Sequence, residues 1–289
     1  MPYHSVVLVK QVPDTKAVTG NAMNPDGTVN RGALPAVFNP EDLNALELAL
    51  EIRDRWGGTV TVMTMGLPKA CDILRESLYR GADRAILLTD RRAAASDTLA
   101  TSYILSQAVR KLGQVDFVLC GRQAIDGDTA QVGPQVAEKL GLPQVTYVDA
   151  LESLGNGAVR AKRSLGDGWQ RVEVDLPCVM TVMDTANEPR PAGARRVMKY
   201  KKARAAIELG AEGGAAGVEE LRRRGLLIEQ MDLDAIEADL GWCGRDGSPT
   251  KVHRIQSVVL KASGHQRIEP TDEGIRELVH QLIEDHTIG

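Results

Sequence analysis

Short apolar runs alternate with helical repeats along the first half of the chain. Val6–Val9 is a β-branched run typical of a buried strand, and Glu41–Trp56 carries leucines at the three- and four-residue spacing of one helix face. The alternation continues with strands predicted at 59–65, 85–88 and 115–120 and helices at 68–79, 97–112 and 129–140. Strands separated by helices in this order are typical of a parallel sheet covered on both faces. The pattern therefore predicts an α/β protein.

The pattern changes after Val145. Four shorter β-rich runs follow at 145–151, 158–163, 169–174 and 178–182, the first three separated by glycine-containing turns, which predicts antiparallel hairpins added to the sheet. Further on we expect a basic run at 190–204, a Gly/Ala-rich linker at 210–217, a short helix at 218–225, a loop at 241–249, a strand at 252–260 and a closing helix from 272. The chain therefore divides into an α/β domain at residues 1–205 and an extended C-terminal arm at 206–289.

Composition and charge argue against nucleic-acid binding as the function of this chain. Aromatic residues make up 3% of the 289 residues, too few to build a stacking platform for single-stranded nucleic acid. The net charge of −4 argues against sequence-independent binding to a phosphate backbone. We therefore expect no nucleic-acid partner.

Cysteine usage and hydropathy indicate the compartment. No two of the four cysteines form a CxxC pair, and their spacing is unlike that of a disulfide framework or a zinc site. The histidines lie at the two ends of the chain without ligand-like spacing, so no metal site is expected. The apolar run near the N-terminus, Val6–Val9, is only four residues long, and no stretch approaches the ~18 apolar residues of a membrane span. These features predict a cytoplasmic protein with reduced thiols and no membrane insertion.

One segment, CGRQAIDGDTAQVGP at 120–134, carries the strongest chemical signal. It follows a predicted buried strand, where ligands of α/β sheets bind, and it opens a helix. Gly121 and Gly127 allow close approach of backbone amides, and Asp128 or Thr129 is placed to cap the helix while free amides face an anion. An ordinary capped strand-to-helix connection explains the same residues, so phosphate binding and a purely structural turn both remain open.

Two other polar loops are predicted at the same edge of the sheet. Asn39-Pro40 begins a helix with a capping residue followed by proline, and the loop at 90–102 offers hydroxyls and arginine. Each loop alone is explained by a helix start. Three of them at one edge favour a nucleotide site. The glycine-rich dinucleotide fingerprint and the P-loop are absent from the sequence.

Three motifs together resemble the β subunit of electron transfer flavoprotein. They are VLVKQVPDT near the N-terminus, NPEDLNALELAL at 39–50 and CGRQAIDGDTAQVGPQVAEKLGLPQVT at 120–146, and GSPTKV at 247–252 extends the resemblance into the arm. The resemblance implies a Rossmann-like sheet of the adenine-nucleotide α-hydrolase type, an α subunit as partner in a heterodimer, and a C-terminal arm that wraps this partner. A nucleotide-binding module of the universal-stress type would share the sheet but would have a shorter chain without the arm.

The resemblance leaves two cofactors to weigh. In the respiratory kind of this family the β subunit buries AMP, and the only FAD lies in the α subunit. In the electron-bifurcating kind the β subunit holds a second FAD, which takes a hydride from NADH and sends one electron to the α-subunit FAD and the other to ferredoxin or flavodoxin. The stretch TDRRAAASDTLATS at 89–102 resembles the FAD-binding loop of the bifurcating kind, which favours FAD over AMP.

The resemblance also assigns residues. The positions that match adenine-nucleotide contacts are Asn39, Met65, Gly66, Gly121, Arg122, Gln123, Gly127, Asp128, Thr129, Ala130, Gln131 and Val132. The positions that match contacts with the rest of the flavin are Asp90, Arg91, Asp97, Thr98 and Thr101. These residues bind and orient the cofactor, and no catalytic side chain is expected.

One position departs from the family pattern. A loop before a basic helix docks dehydrogenases in this family, with leucine as the anchor in the respiratory kind. The matching position here is Ala194, which buries little surface. This departure weakens the expectation of docking to the usual acyl-CoA dehydrogenases. The basic run that follows fits the family, but from the residues alone a partner surface and a merely solvated helix face both remain open.

Overall fold

A computed structural model describes residues 2–14, 34–251 and 267–284. The strands are β1 (Tyr3–Leu8), β2 (Gln11–Pro13), β3 (Ala36–Phe38), β4 (Gly58–Met65), β5 (Arg84–Leu88), β6 (Phe117–Gly121), β7 (Gln144–Gly155), β8 (Ala158–Ser164), β9 (Trp169–Asp175), β10 (Cys178–Val182) and β11 (Glu229–Met231). The α-helices are α1 (Pro40–Trp56), α2 (Cys71–Arg80), α3 (Thr98–Lys111), α4 (Val132–Leu140), α5 (Ala194–Tyr200), α6 (Gly210–Arg223) and α7 (Asp272–Glu284).

A nine-stranded sheet organises the chain, in the order β11-β5-β4-β1-β6-β10-β7-β8-β9. Across the sheet in this order, each strand from β11 through β7 is parallel to its neighbour, whereas β8 pairs antiparallel with both β7 and β9. The predicted α/β class, with a largely parallel sheet and added antiparallel strands, is confirmed. The short strands β2 and β3 form a separate antiparallel pair.

Apolar side chains of the central strands alternate between two cores. Val7 of β1 belongs to the cluster formed with α1 and α2, and its neighbour Val6 belongs to the cluster formed with α3 and α4. The same division separates Val62 from Met63 on β4. Successive side chains of a strand point to opposite faces, so continuous apolar runs bury both faces of the sheet. This explains why the strand runs of the first half are apolar throughout.

Three predictions after residue 120 are wrong. The run at 178–182 is not part of an antiparallel addition, because β10 lies between β6 and β7, parallel to both and buried along its whole length. The Gly/Ala-rich stretch is not a linker, because 210–223 is helical with a kink at Gly214, although glycine disfavours helix. Helix α4 begins at Val132 rather than at residue 129. The strand expected at 252–260 lies outside the described residues.

The path of the chain creates a crevice beside β1. From β1 the chain moves outward to β4 and then β5, and after α3 it returns to the other side of β1 as β6. Helices α1 and α2 pack in one core and α3 in the other. At such a switch point the connections leave the carboxyl ends of two neighbouring strands in opposite directions, which opens a space for ligands. The fold therefore points to the carboxyl ends of β1 and β6.

All four cysteines are reduced and buried. Burial raises the pKa of the Cys71 and Cys178 thiols to about 12, and it also raises the pKa values of the Cys120 and Cys243 thiols. Across the described ranges, no helix has the length and apolar character needed to cross a bilayer.

Candidate functional site

A cavity of about 590 Å³ opens at the carboxyl ends of β1, β4 and β6. It lies within the size range of small-molecule sites. Thirteen of the residues assigned from the sequence line it: Met65, Asp97, Thr98, Thr101, Gly121, Arg122, Gln123, Gly127, Asp128, Thr129, Ala130, Gln131 and Val132. The other four assigned residues, Asn39, Gly66, Asp90 and Arg91, are not part of its wall.

The first turn of α1 holds the loop that follows β6. Asn39 accepts a hydrogen bond from the Ile125 amide at 3.1 Å and donates to the Gln123 carbonyl at 2.8 Å. Glu41 accepts from the Gln123 amide at 2.9 Å and pairs with the Arg122 guanidinium at 2.7 Å. Asn39 occupies the N-cap position of α1, but its side chain makes no capping bond. The Asn39 side chain, which was expected to cap α1, therefore binds the loop after β6 instead, at residues 84 and 86 positions further along the chain.

Asp42 joins the ends of two neighbouring strands. Its carboxylate accepts from the Lys10 amide, just after β1, at 2.8 Å and from the Gly121 amide, the last residue of β6, at 2.9 Å. Asp42 lines the cavity although its side chain is buried. Burial raises the pKa of Asp42 to about 7, against the opposing effect of the two amide donors.

The loop between β6 and α4 has an unusual backbone. Asp128 and Ala130 have positive φ angles of 50° and 52°, which L-residues adopt rarely and at a cost. Gln131, in the right-handed region, follows Ala130 directly. Such a left-right succession turns consecutive N–H groups toward one point and forms a nest for an anion. Gln131 makes no side-chain cap at α4, so the cap expected from Asp128 or Thr129 is absent from this helix.

Two helix N-termini meet at the cavity. The starts of α3 and α4 both lie in its wall, and Thr98 of α3 donates a hydrogen bond to the Gln131 side chain at 2.9 Å. The first N–H groups of a helix have no partner within the helix and carry partial positive charge. In the described part of the chain, the buried Arg122 Nε, a further donor in a wall residue, has no acceptor from the protein. The start of α4, which has no side-chain cap, and the Arg122 Nε–H suit an anionic ligand, whereas the Asp97 carboxylate already caps α3.

Asp97 confirms its predicted role as the N-cap of α3, and it also ties a distant segment to the cavity. One carboxylate oxygen accepts from the Ala100 amide at 2.9 Å, and the other accepts from the Thr250 amide and hydroxyl at 2.9 and 2.6 Å. The Asp97 amide in turn donates to the Ser248 hydroxyl. Burial acts to raise the pKa of Asp97, but these donors hold it below its usual value.

We expect Asp97→Ala to lower the free energy of unfolding by about 2 kcal/mol, because it removes a helix cap and the Thr250 contacts together. Thr250→Val, which removes only the hydroxyl bond, is the matched control and should cost about 0.5–1 kcal/mol. Thermal denaturation of the two variants beside the parent chain measures the difference. Equal losses in both variants would show that the cap of α3 adds nothing at this position.

The remaining assigned residues have clear surroundings. Asp90 accepts from Arg92 and lies before a short 3-10 turn, which includes Arg91, and the Gly66 amide donates to the Leu88 carbonyl at 3.0 Å. Asp90 and Arg92 form an ion pair at 2.6 Å. This loop therefore has its own structural role beside the cavity.

Sequence reasoning missed several wall residues. They are Leu8, Val9, Lys10, Asp42, Ala93, Ala95, Ser96, Leu105, Cys120, Ala124 and Gly133. Most of them adjoin an assigned position and offer backbone or apolar surface, so they carry no chemical signal. Asp42 carried none either, since acidic residues are ordinary in the first turn of a helix, and only the structure reveals its partners at the two strand ends.

The fold and the cavity define an α/β protein with a nucleotide-sized crevice at the carboxyl edge of a parallel sheet. The model of the electron transfer flavoprotein domain matches residues 26–208. The chain is 39% identical to the electron transfer flavoprotein subunit beta of Clostridium acetobutylicum, over 98% of this chain and 99% of that protein. It therefore belongs to the electron transfer flavoprotein family, as its motifs suggested.

Two further relatives carry names of larger complexes. The chain is 41% identical to the acryloyl-CoA reductase electron transfer subunit gamma of Anaerotignum propionicum, over 98% of both chains. It is 39% identical to the caffeyl-CoA reductase-Etf complex subunit CarD of Acetobacterium woodii, over 98% of this chain and 99% of that protein. Both names describe electron transfer subunits associated with reductases of CoA thioesters.

Proposed function

We propose that this chain is the FAD-binding β subunit of an electron-bifurcating electron transfer flavoprotein. A flavin bound in the cavity would supply the redox chemistry, taking a hydride from NADH and passing single electrons toward the FAD of an α subunit and toward ferredoxin or flavodoxin. The chain's own residues bind and orient this group. The alternative is a β subunit that holds AMP and docks dehydrogenases without bifurcation.

The extent of the cavity carries the choice of FAD. The nest at Ala130-Gln131 and the start of α4 suit one phosphate, and the wall continues past the start of α3 to Ala95, Ser96 and Thr101. A mononucleotide needs only the first of these regions. The second region provides the Thr101 hydroxyl in the first turn of α3, where the ribityl chain or second phosphate of a dinucleotide would find a donor, whereas the Ser96 hydroxyl already donates to the Ala93 carbonyl.

The partners follow from exposed surfaces and from the relatives. Helix α7 exposes Ile275, Leu278, Val279 and Ile283, which recur at the spacing of one helix face. We assign this face, within an arm at 206–289 attached to an α/β domain at 1–205, to the α subunit. The two complexes named above support a CoA-thioester reductase as a further partner.

The loop and helix around Ala194, which match the dehydrogenase-docking region of the family, bear on which further partner this chain binds. Ala194 is the exposed first residue of α5, where a methyl group offers little apolar surface. A partner that docks here would depend on the basic residues of α5 and on Met198, which is 66% exposed. This composition favours a partner other than one that needs a leucine anchor.

Counting the cofactors tests the proposal. The chain is co-expressed with its α subunit, the pure heterodimer is denatured, and FAD and AMP are quantified by chromatography. Two FAD and no AMP per heterodimer are expected, and one FAD with one AMP would instead establish the AMP-binding alternative. A heterodimer that carries Ala130→Pro is analysed beside the parent, and the nucleotide that this variant loses is assigned to this chain. If the parent heterodimer contains no nucleotide beyond the α-subunit FAD, both the FAD-binding proposal and the AMP-binding alternative are rejected.

A further inference from the structure

Asp42 lies at the point where the sheet opens. β1 and β6 are paired in register from Ser5 to Leu8, and the chain leaves their carboxyl ends in different directions. The Asp42 carboxylate accepts one N–H from each side of this opening, at Lys10 and at Gly121. A single side chain thus fixes the separation of the two strand ends that form the floor of the cavity.

Within the part of the chain that the structure describes, the Asp42 carboxylate forms no ion pair, because the neighbouring charged groups have other partners. From α1 the neighbouring acid is Glu41, which pairs with Arg122 at 2.7 Å. From the end of β1 comes Lys10, whose ammonium pairs with Asp126 at 2.7 Å instead. From β6 comes the buried thiol of Cys120, whose pKa burial raises, with smaller contributions from Asp42 and Glu41. Backbone and Asn39 dipoles alone therefore oppose the cost of ionising Asp42.

We propose that Asp42 is the positioning residue of the nucleotide cavity and that nucleotide binding is coupled to the uptake of a proton by its carboxylate. The inference rests on the proposed nucleotide site. A carboxylate in the wall of a cavity that receives a phosphate-bearing ligand loses solvent and gains a negative neighbour. Both changes favour the protonated acid, so the proton enters when the ligand binds.

The direction of the pH dependence follows from this linkage. The pKa of Asp42 before binding is raised to about 7. Binding raises it further, so the bound state holds more protons than the free state in the window just above 7. The contribution of Asp42 to nucleotide affinity therefore rises as the pH falls from 8 to 6, by about two- to fivefold for a rise in the Asp42 pKa on binding of about half a unit to one unit.

The test uses the full-length chain in its heterodimer, freed of exchangeable nucleotide. AMP is the probe, because both candidate ligands contain it. Calorimetric titration at pH 7.5 in two buffers of different ionisation enthalpy gives the number of protons taken up for each AMP bound. Asp42→Asn removes the titration and is compared with Glu47→Gln, which changes a buried acid on the same helix that pairs with Arg190 away from the cavity.

The parent and Glu47→Gln are expected to take up more protons for each AMP bound than Asp42→Asn. The AMP affinity of Asp42→Asn should change with pH only as the AMP phosphate titrates. Asp42→Asn should also bind AMP about tenfold more weakly at pH 6, since its amide nitrogen cannot accept from a backbone N–H. Equal proton uptake in the parent and in Asp42→Asn would overturn the inference while leaving the nucleotide site intact. Binding of neither AMP nor FAD by the parent would instead reject the proposed function. Should Asp42→Asn fail to fold, Asp42→Ser replaces it, and equal proton uptake by the parent and by Asp42→Ser would overturn the inference.

Discussion

Gly121→Ala is expected to destabilise the chain by about 3 kcal/mol and to abolish nucleotide retention. A Cβ atom at this position would lie 2.6 Å from the Asp42 carboxylate and 2.7 Å from the backbone of Glu41. Neither neighbour has room to retreat, since Asp42 holds the Gly121 amide and α1 packs against β6 through the core. Overpacking against backbone costs about 1–3 kcal/mol or more. The melting temperature and the nucleotide content of the purified heterodimer measure both effects.

Gly127→Ala is the matched control for this glycine. A Cβ atom at Gly127 meets nothing within 4 Å, so its effect on stability should stay within about 0.5 kcal/mol. Both glycines belong to the same loop motif and both line the cavity. Equal destabilisation by the two variants would contradict the close approach of α1 to β6.

Ala130→Pro is expected to weaken nucleotide binding at least ~100-fold, the loss of several backbone hydrogen bonds to a phosphate. Proline fixes φ near −65°, whereas Ala130 has a φ of 52°, and the substitution also removes one N–H of the nest. Equilibrium dialysis against labelled AMP measures the loss. The fold should survive, because Ala130 lies outside both β6 and α4.

Ala130→Gly separates the conformation of residue 130 from its side chain. Glycine adopts the left-handed region without the cost that alanine bears, so this variant should keep the nucleotide and gain up to about 1 kcal/mol in stability. If Ala130→Pro retains AMP as well as Ala130→Gly does, the phosphate does not lie at this nest.

Local signals in the sequence account for much of the fold. The amphipathic repeat of α1 and the capping aspartate of α3 are short-range features, and both helices lie close to their predicted bounds. Strand partners depend on distant residues. The run at 178–182 is apolar at four of five positions, which fits a central strand, yet its proximity to the hairpins suggested an antiparallel one. Nothing within the run itself identifies β6 as its neighbour.

The candidate site was predictable to the extent that it lies on strand ends. The segment at 120–134 is rich in glycine and polar residues directly after a buried strand, and most of it does line the cavity. The sequence does not reveal that Asn39 and Glu41 serve this loop rather than their own helix, because the contacts span more than 80 residues. The positive φ angles of Asp128 and Ala130 are equally hidden, since neither residue is glycine.

The burial of the native thiols has a practical consequence for attaching probes to this chain. Cys71, Cys120, Cys178 and Cys243 are each less than 8% exposed, and burial keeps them in the unreactive thiol form at neutral pH. A single cysteine introduced on the solvent face of α6 or α7 would therefore react with maleimide dyes or spin labels far faster than the native four. Distances to a labelled α subunit become accessible by fluorescence or electron resonance without first removing any natural cysteine.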